Sequence, residues 1–166
     1  MKFIAILSAL ILLVTLVGVG YLYMTTNIYV EAAGVITVEA SSQPALFASL
    51  RDQARLGAVV GTPFTGQTEL GENDDYQFCI YTVRLRNNCR VDAESVEVQI
   101  SPMSGDVLQF TENDYLPVPT LTSVAAGGTG EASAVLLTTR GNHTIREATV
   151  TYYMWGIPFT LKTTVK

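Results

Sequence analysis

The 166-residue chain is short of most side chains that carry catalysis: it has one histidine, two cysteines, one tryptophan and only ten lysines and arginines. Each shortage closes off a class of chemistry. The lone imidazole, His143, sits in the polar turn Gly141-Asn142-His143-Thr144. No Ser, Cys or carboxylate pattern beside it supplies a partner for base or nucleophile work. A catalytic zinc normally takes three protein ligands, which this inventory cannot easily provide. Setting Lys2 aside leaves nine basic residues against fifteen acidic ones, a net charge near −6. Without a basic stripe, nucleic acid is a poor partner, and so is an anionic lipid surface.

The two cysteines are Cys79 and Cys89. If both flank one strand, a rise of about 3.3 Å per residue sets them up to roughly 30 Å apart, against the ~6 Å between Cα atoms that a disulfide needs. A bridge requires a turn near residues 82–84, where no turn residue stands. The expectation is two unpaired thiols.

Charge is also missing where it matters most. No charged residue occurs between Lys2 and Glu31, and the run from Phe3 to Tyr23 is Leu, Ile, Val and Ala with little else. About 20 helical residues cross a hydrocarbon core of ~30 Å, and this run supplies them. Tyr21 and Tyr23 at its end fit an interfacial aromatic belt. A cleaved signal peptide is the competing reading. Its apolar region would be shorter, about 7–15 residues, and the nearest small-x-small site, Val30-Glu31-Ala32, lies well past the run. The sequence favours a retained anchor. With Lys2 before the run and no Lys or Arg after it until Arg51, the N-terminus is expected in the cytoplasm and the remainder outside it. Gly18-Val19-Gly20 is not the G-x-x-x-G pattern of helix pairing.

About 140 residues follow, enough for one domain with a real core. Residues 33–39 read as a first strand. Ser42 resembles an N-cap, and Leu46, Phe47, Leu50 and Ala54 recur at helical spacing, so residues 43–56 are predicted to form a short amphipathic helix closed by Gly57. Its simplest use is to lie over one end of a sandwich. Arg51 and Arg55, one turn apart, are expected in solvent. A Gly/Thr/Pro loop then ends in the acidic cluster Glu69, Glu72, Asp74 and Asp75.

From Tyr76 the pattern alternates. Cys79, Tyr81, Val83 and Leu85 share one strand face, with Arg84 and Arg86 on the other. After the turn at Asn87-Asn88, residues 95–100 set Val96, Val98 and Ile100 inward against Glu97 and Gln99. Further strands are predicted at 107–110, 131–138, 145–155 and 157–165. Pro117 and Pro119 restrict residues 115–120 to an edge strand or a loop. Turn signals every 8–12 residues give an all-β antiparallel sandwich with one accessory helix. The division expected is anchor 1–25, membrane-proximal segment 26–75 and sandwich 76–166.

Residues 81–88, Tyr-Thr-Val-Arg-Leu-Arg-Asn-Asn, followed by Ala93-Glu94-Ser95-Val96-Glu97-Val98, resemble the rhythm of CARDB-type immunoglobulin-like adhesion modules. Residues 124–128 are similar to that family's mid-domain glycine turn, and residues 146–152 to its penultimate strand. The chain departs from it in carrying Cys89 where glycine is usual. The resemblance implies a seven-stranded immunoglobulin-like sandwich on a cell surface and no catalytic residue.

Other motifs weigh little. Residues 61–68 miss a phosphate-binding loop because Gln67 stands where lysine is needed. The acidic cluster lacks the D-x-D-x-D-G order of a calcium loop. Glu112 and Asp114 form a carboxylate pair with nothing to separate their pKa values. Asn142-His143-Thr144 matches an N-glycosylation sequon. The remaining signal is aromatic: with Tyr152 inward, Tyr153 and Trp155 point outward beside Thr149 and Thr151, suited to a protein or glycan partner. The sequence therefore predicts no catalytic, cofactor or metal site, with Tyr153 and Trp155 as contact residues. The function expected is adhesion or a structural role in a cell-surface or envelope assembly. The alternative is a pilin-like or archaellum-stator-like subunit of a filament or secretion machine.

Overall fold

The computed structural model describes residues 2–56, 61–64, 70–110, 116 and 121–166. Helix α1 (Lys2–Met24) carries the apolar run. Within it Phe3–Tyr21 is long and apolar enough to cross a membrane, and none of that span is buried. Its large apolar side chains are 47–78 % exposed. The hydroxyls of Ser8 and Thr15 bond back to the carbonyls of Ile4 and Ile11 at 2.7 and 2.9 Å, which hides their polarity within the helix.

Among the described residues nine strands follow, in two antiparallel sheets. One sheet has the order β1 (Ile28–Glu39), β3 (Tyr76–Asn87), β7 (Thr129–Thr139), β5 (Asp106–Phe110) and β2 (Thr62–Pro63). The other runs β6 (Ser123–Val124), β4 (Ala93–Ile100), β8 (Arg146–Met154) and β9 (Ile157–Val165). Without the two-residue strands β2 and β6, the orders β1-β3-β7-β5 and β4-β8-β9 are the ABED and CFG sheets of a constant-type immunoglobulin sandwich. The fold is an all-β sandwich behind an apolar helix.

β1 begins five residues before the predicted strand. A bulge between Val30 and Ala32 explains the difference. It reverses the parity of the core-facing residues, from Ile28 and Val30 to Ala33 and Val35, so a period-two reading cannot pass through it. Residues 28–39, grouped by sequence with the membrane-proximal segment, pair with β3 from Ile28↔Asn87 to Glu39↔Gln77.

The sandwich core takes Cys79, Tyr81, Val83 and Leu85 of β3, Val98 and Ile100 of β4, and Ala148, Val150, Tyr152 and Met154 of β8. These are the inward positions that alternation predicts. The other face of β3 is not uniformly polar. Tyr76 and Phe78 are buried there beneath helix α2 (Pro44–Leu56), which contributes Leu46, Phe47 and Leu50 to a second core with Phe110, Val135 and Leu137. The helix therefore lies over the outer face of the five-stranded sheet, at the end far from α1. Ser42 does not cap it. Its hydroxyl donates to the Glu39 carbonyl at 2.7 Å within a 3-10 turn (Ala40–Ser42), and the Gln43 carbonyl accepts the first helical bond from Phe47. Gly57 lies outside the described residues, as do residues 65–69, 111–115 and 117–120.

A buried side chain ties the sheets together along β4. Among the described residues β6 pairs with Ala93 and Glu94 alone, and past the bond from the Val96 N–H to the Thr122 carbonyl the rest of that edge of β4 has no strand beside it. Buried Gln109 of β5 reaches across: its Oε1 accepts from the Ile100 N–H and its Nε2 donates to the Val98 carbonyl, both at 2.8 Å. The amide thus imitates a neighbouring strand. Replacing it (Gln109→Leu) strands two buried backbone groups and is expected to cost roughly 2–4 kcal/mol. Urea unfolding of the chain in detergent micelles measures this, and an unchanged midpoint refutes the bridging role.

Candidate functional site

β3 ends at the sandwich face where α1 arrives. Asn87, fully buried, organises this end. Its Nδ2 donates to the carbonyls of Val91 (2.8 Å) and Val124 (3.1 Å), and its Oδ1 accepts from the Cys89 N–H at 2.9 Å. Its backbone N–H reaches the Gly128 carbonyl at 2.9 Å. Asparagine offers two donors and an acceptor on one short amide, which this tight loop requires. The same loop holds the helix exit. The Asn88 N–H donates to the Asn27 carbonyl at 3.0 Å, and the Asn27 N–H meets the Cys89 sulfur at 3.0 Å.

Between this loop and the helix lies a cavity of about 330 Å³, lined by Tyr21, Thr25, Asn88, Cys89, Arg90 and Trp155. Trp155 occupies a two-residue hairpin turn with φ of 52°, followed by Gly156 at 75°. Two positive φ values make the turn type I′, whose favoured first residue is asparagine, not tryptophan. Tyr153 stands apart on the outer face of β8, between Glu94 of β4 and Pro158 of β9. It is 39 % exposed and Trp155 49 %. The two predicted contact residues thus sit on different surfaces, one on the sheet face and one beside the helix.

Alternation also held a sign that sequence reading passed over. Arg146 shares the inward parity of Ala148 and Val150, and the structure buries it with Asp106 at the far end. The guanidinium meets the carboxylate through two bonds, at 3.0 and 3.3 Å. It also donates to the carbonyls of His143 and Ile145. Asp106 further accepts from the Met103 N–H at 2.7 Å. The pair is sealed from solvent and closes the sandwich. His143 itself is exposed.

Cys79 and Cys89 are both free. Burial pushes the Cys79 thiol above its ordinary 9.0, against a smaller lowering by the Thr37 hydroxyl. Tyr81, buried beside it and donating to the Thr144 carbonyl at 2.8 Å, is also pushed up, mainly by burial. Neither is a poised nucleophile.

Among the described residues no three His, Cys, Asp or Glu side chains gather as a metal would need. Glu72 precedes a 3-10 turn containing Asp74 and Asp75, while Glu69 lies outside the described residues, as do Gln67, Glu112 and Asp114. Arg55 is exposed as expected. Arg51 is only half-exposed, and its Nε is buried with no hydrogen-bond partner among the described residues.

Two outcomes follow from these environments. The folded state holds the protons of Cys79 and Tyr81 above pH values where the unfolded chain releases them, so stability falls as pH rises past 9.0 and then 10.0. Each group adds a slope of up to about 1.4 kcal/mol per pH unit. Thermal melts across this range should show a shallower decline for Cys79→Val. An identical decline refutes the assignment. The Asn142 Nδ2, the atom a glycan would occupy, instead bonds the Ser104 carbonyl at 2.9 Å, Thr138 Oγ1 at 2.9 Å and Asp106 at 3.3 Å. The sequon is expected to stay unmodified on expression in a glycosylating host, with unshifted intact mass. A glycan-sized gain refutes this.

No family model matches the chain, and no curated protein matches it. Among solved structures, the yeast GGA1 GAE domain overlays with a TM-score of 0.37 at 6 % identity, covering 57 % of this chain and 93 % of that one. The cupredoxin domain of amoB from Nitrosocaldus yellowstonii gives 0.32 at 13 % identity, covering 84 % and 86 %.

Proposed function

We propose that this is a single-pass membrane protein displaying its immunoglobulin-like sandwich outside the cytoplasm. The sandwich acts as a non-enzymatic contact module for a protein or glycan partner, in adhesion or in a surface or envelope assembly. The observation that carries the reading is the span Phe3–Tyr21, none of it buried by the domain. That much exposed hydrocarbon is stable in a bilayer and a liability in water. Cleavage at the Val30-Glu31-Ala32 site would also remove Ile28, which is buried in the core and paired with Asn87. The fold thus favours retention of the helix. Lys2 before the span supports a cytoplasmic N-terminus.

The contact role rests on the CARDB-like strand rhythm and on exposed apolar side chains of the sheets, Ile36 at 66 % and Tyr153 at 39 %. A filament or secretion-machine subunit is the second reading. Edge strand β1 favours it, since it is uncharged from Ala32 to Val38 and, among the described residues, has β3 as its one hydrogen-bonded neighbour.

Carbonate-washed membranes should retain the full-length chain, with Phe3 still present in its N-terminal peptide. Protease added to intact cells should remove the sandwich. A chain released by carbonate, or one beginning after Ala32, refutes the anchor, and a protected sandwich refutes the orientation. Photo-crosslinking from position 36 in native membranes separates the two roles: a ladder of regularly spaced adducts indicates a filament, a single discrete adduct a surface partner.

A further inference from the structure

We infer that the helix-side end of the sandwich is a lipid-contact surface, in which Trp155 and Arg90 seat the domain on the headgroups of the bilayer that α1 crosses. The inference rests on the anchor proposed above and adds a surface to it.

Depth is the first argument. The apolar run ends with Tyr21 and Tyr23, and Thr25 lies two residues past its last residue, about 3 Å along a helix axis. The headgroup layer on each side of a bilayer is about 5–7 Å thick. Side chains that share a cavity with both Tyr21 and Thr25 therefore lie at headgroup level, and Trp155 and Arg90 do so.

The second argument is chemical. An indole places an apolar ring and a donor N–H in the layer where both are satisfied. A guanidinium matches phosphate oxygens in a bidentate fork. Arg90 is exposed and belongs to none of the ion pairs among the described residues, whereas Arg84, Arg140, Arg146 and Lys162 each hold a carboxylate. The nearby carboxylate of Asp92 accepts from the Ala126 N–H at 2.8 Å and is engaged elsewhere. The acidity of the whole domain disfavours an anionic surface, so the fit is to phosphate within zwitterionic lipid.

The third is the backbone. A bulky non-glycine residue at φ 52° is strained, and strain of this kind clusters where a side chain has to be held in place. The turn aims no core residue, since Met154 before it is already buried. It presents the indole.

Trp155 is the only tryptophan, so fluorescence reads this one residue. The full chain is reconstituted into phosphatidylcholine vesicles, and flotation first reports whether α1 holds it there. Quenching is then compared for nitroxide placed on the lipid headgroup and iodide in the water. Seating predicts strong quenching by the headgroup label and an iodide quenching constant at least twofold below that of Arg90→Glu in the same vesicles, with both proteins giving the same circular dichroism. A chain that floats, ignores the lipid label and is quenched by iodide to the same extent in both forms overturns the seating and leaves the anchor standing. A chain that does not float overturns both.

Discussion

Only three residues, Thr25, Thr26 and Asn27, separate the last turn of α1 from the first residue of β1. The arrangement of the domain depends on that short passage. Hydrogen bonds at the Thr25 N–H, the Asn27 carbonyl and the Asn27 N–H leave it little slack, because they tie it backward into the helix and sideways into the loop after β3. A flexible linker would let a sandwich tumble beside its helix. Here helix and sheet edge share one continuous backbone path, so the end of the sandwich nearest the helix is fixed by covalent geometry. The cavity between Tyr21 and Trp155 follows from that closeness.

Three polar groups secure what the apolar core leaves open. Asn87 closes the near end, Gln109 joins the sheets along β4, and Arg146 with Asp106 shuts the far end. Each lies within 5 % of full burial. Hydrophobic burial is non-directional, while buried amides and an ion pair are costly unless every bond is made. These groups add little net energy and penalise slipped alternatives heavily. The domain in this way specifies one register without a disulfide between its sheets. Cys79 lies on the strand where an antibody domain would place one half of that bridge, facing Tyr81, Gln77 and Thr37 and no second sulfur.

Strands with clean alternation were legible in the sequence: the inward faces of β3, β4 and β8 hold the residues that parity assigns them. So was the face of α2, because Leu46, Phe47, Leu50 and Ala54 follow its pitch. Legibility failed where local geometry breaks the period. The bulge at Val30/Ala32 hid the start of β1, and positive φ at Ser95 marks a second irregularity, early in β4. It failed again where a residue serves a distant partner. Asn87 reads as a turn residue and is a buried hub, and Gln109 reads as an ordinary strand amide and bridges two sheets. Trp155 looked like a strand-face aromatic because nothing in a linear pattern shows that the hairpin turns back beside α1.

β1 carries a mechanical consequence. Any pull on α1 along the strand axis enters the sandwich through β1, whose ladder with β3 runs from Ile28 to Glu39. Antiparallel hydrogen bonds lie perpendicular to their strands. Such a pull therefore loads the whole ladder in shear, with many bonds sharing the force, and does not unzip it one pair at a time. The tether point is thus placed where a pull meets a long ladder in shear.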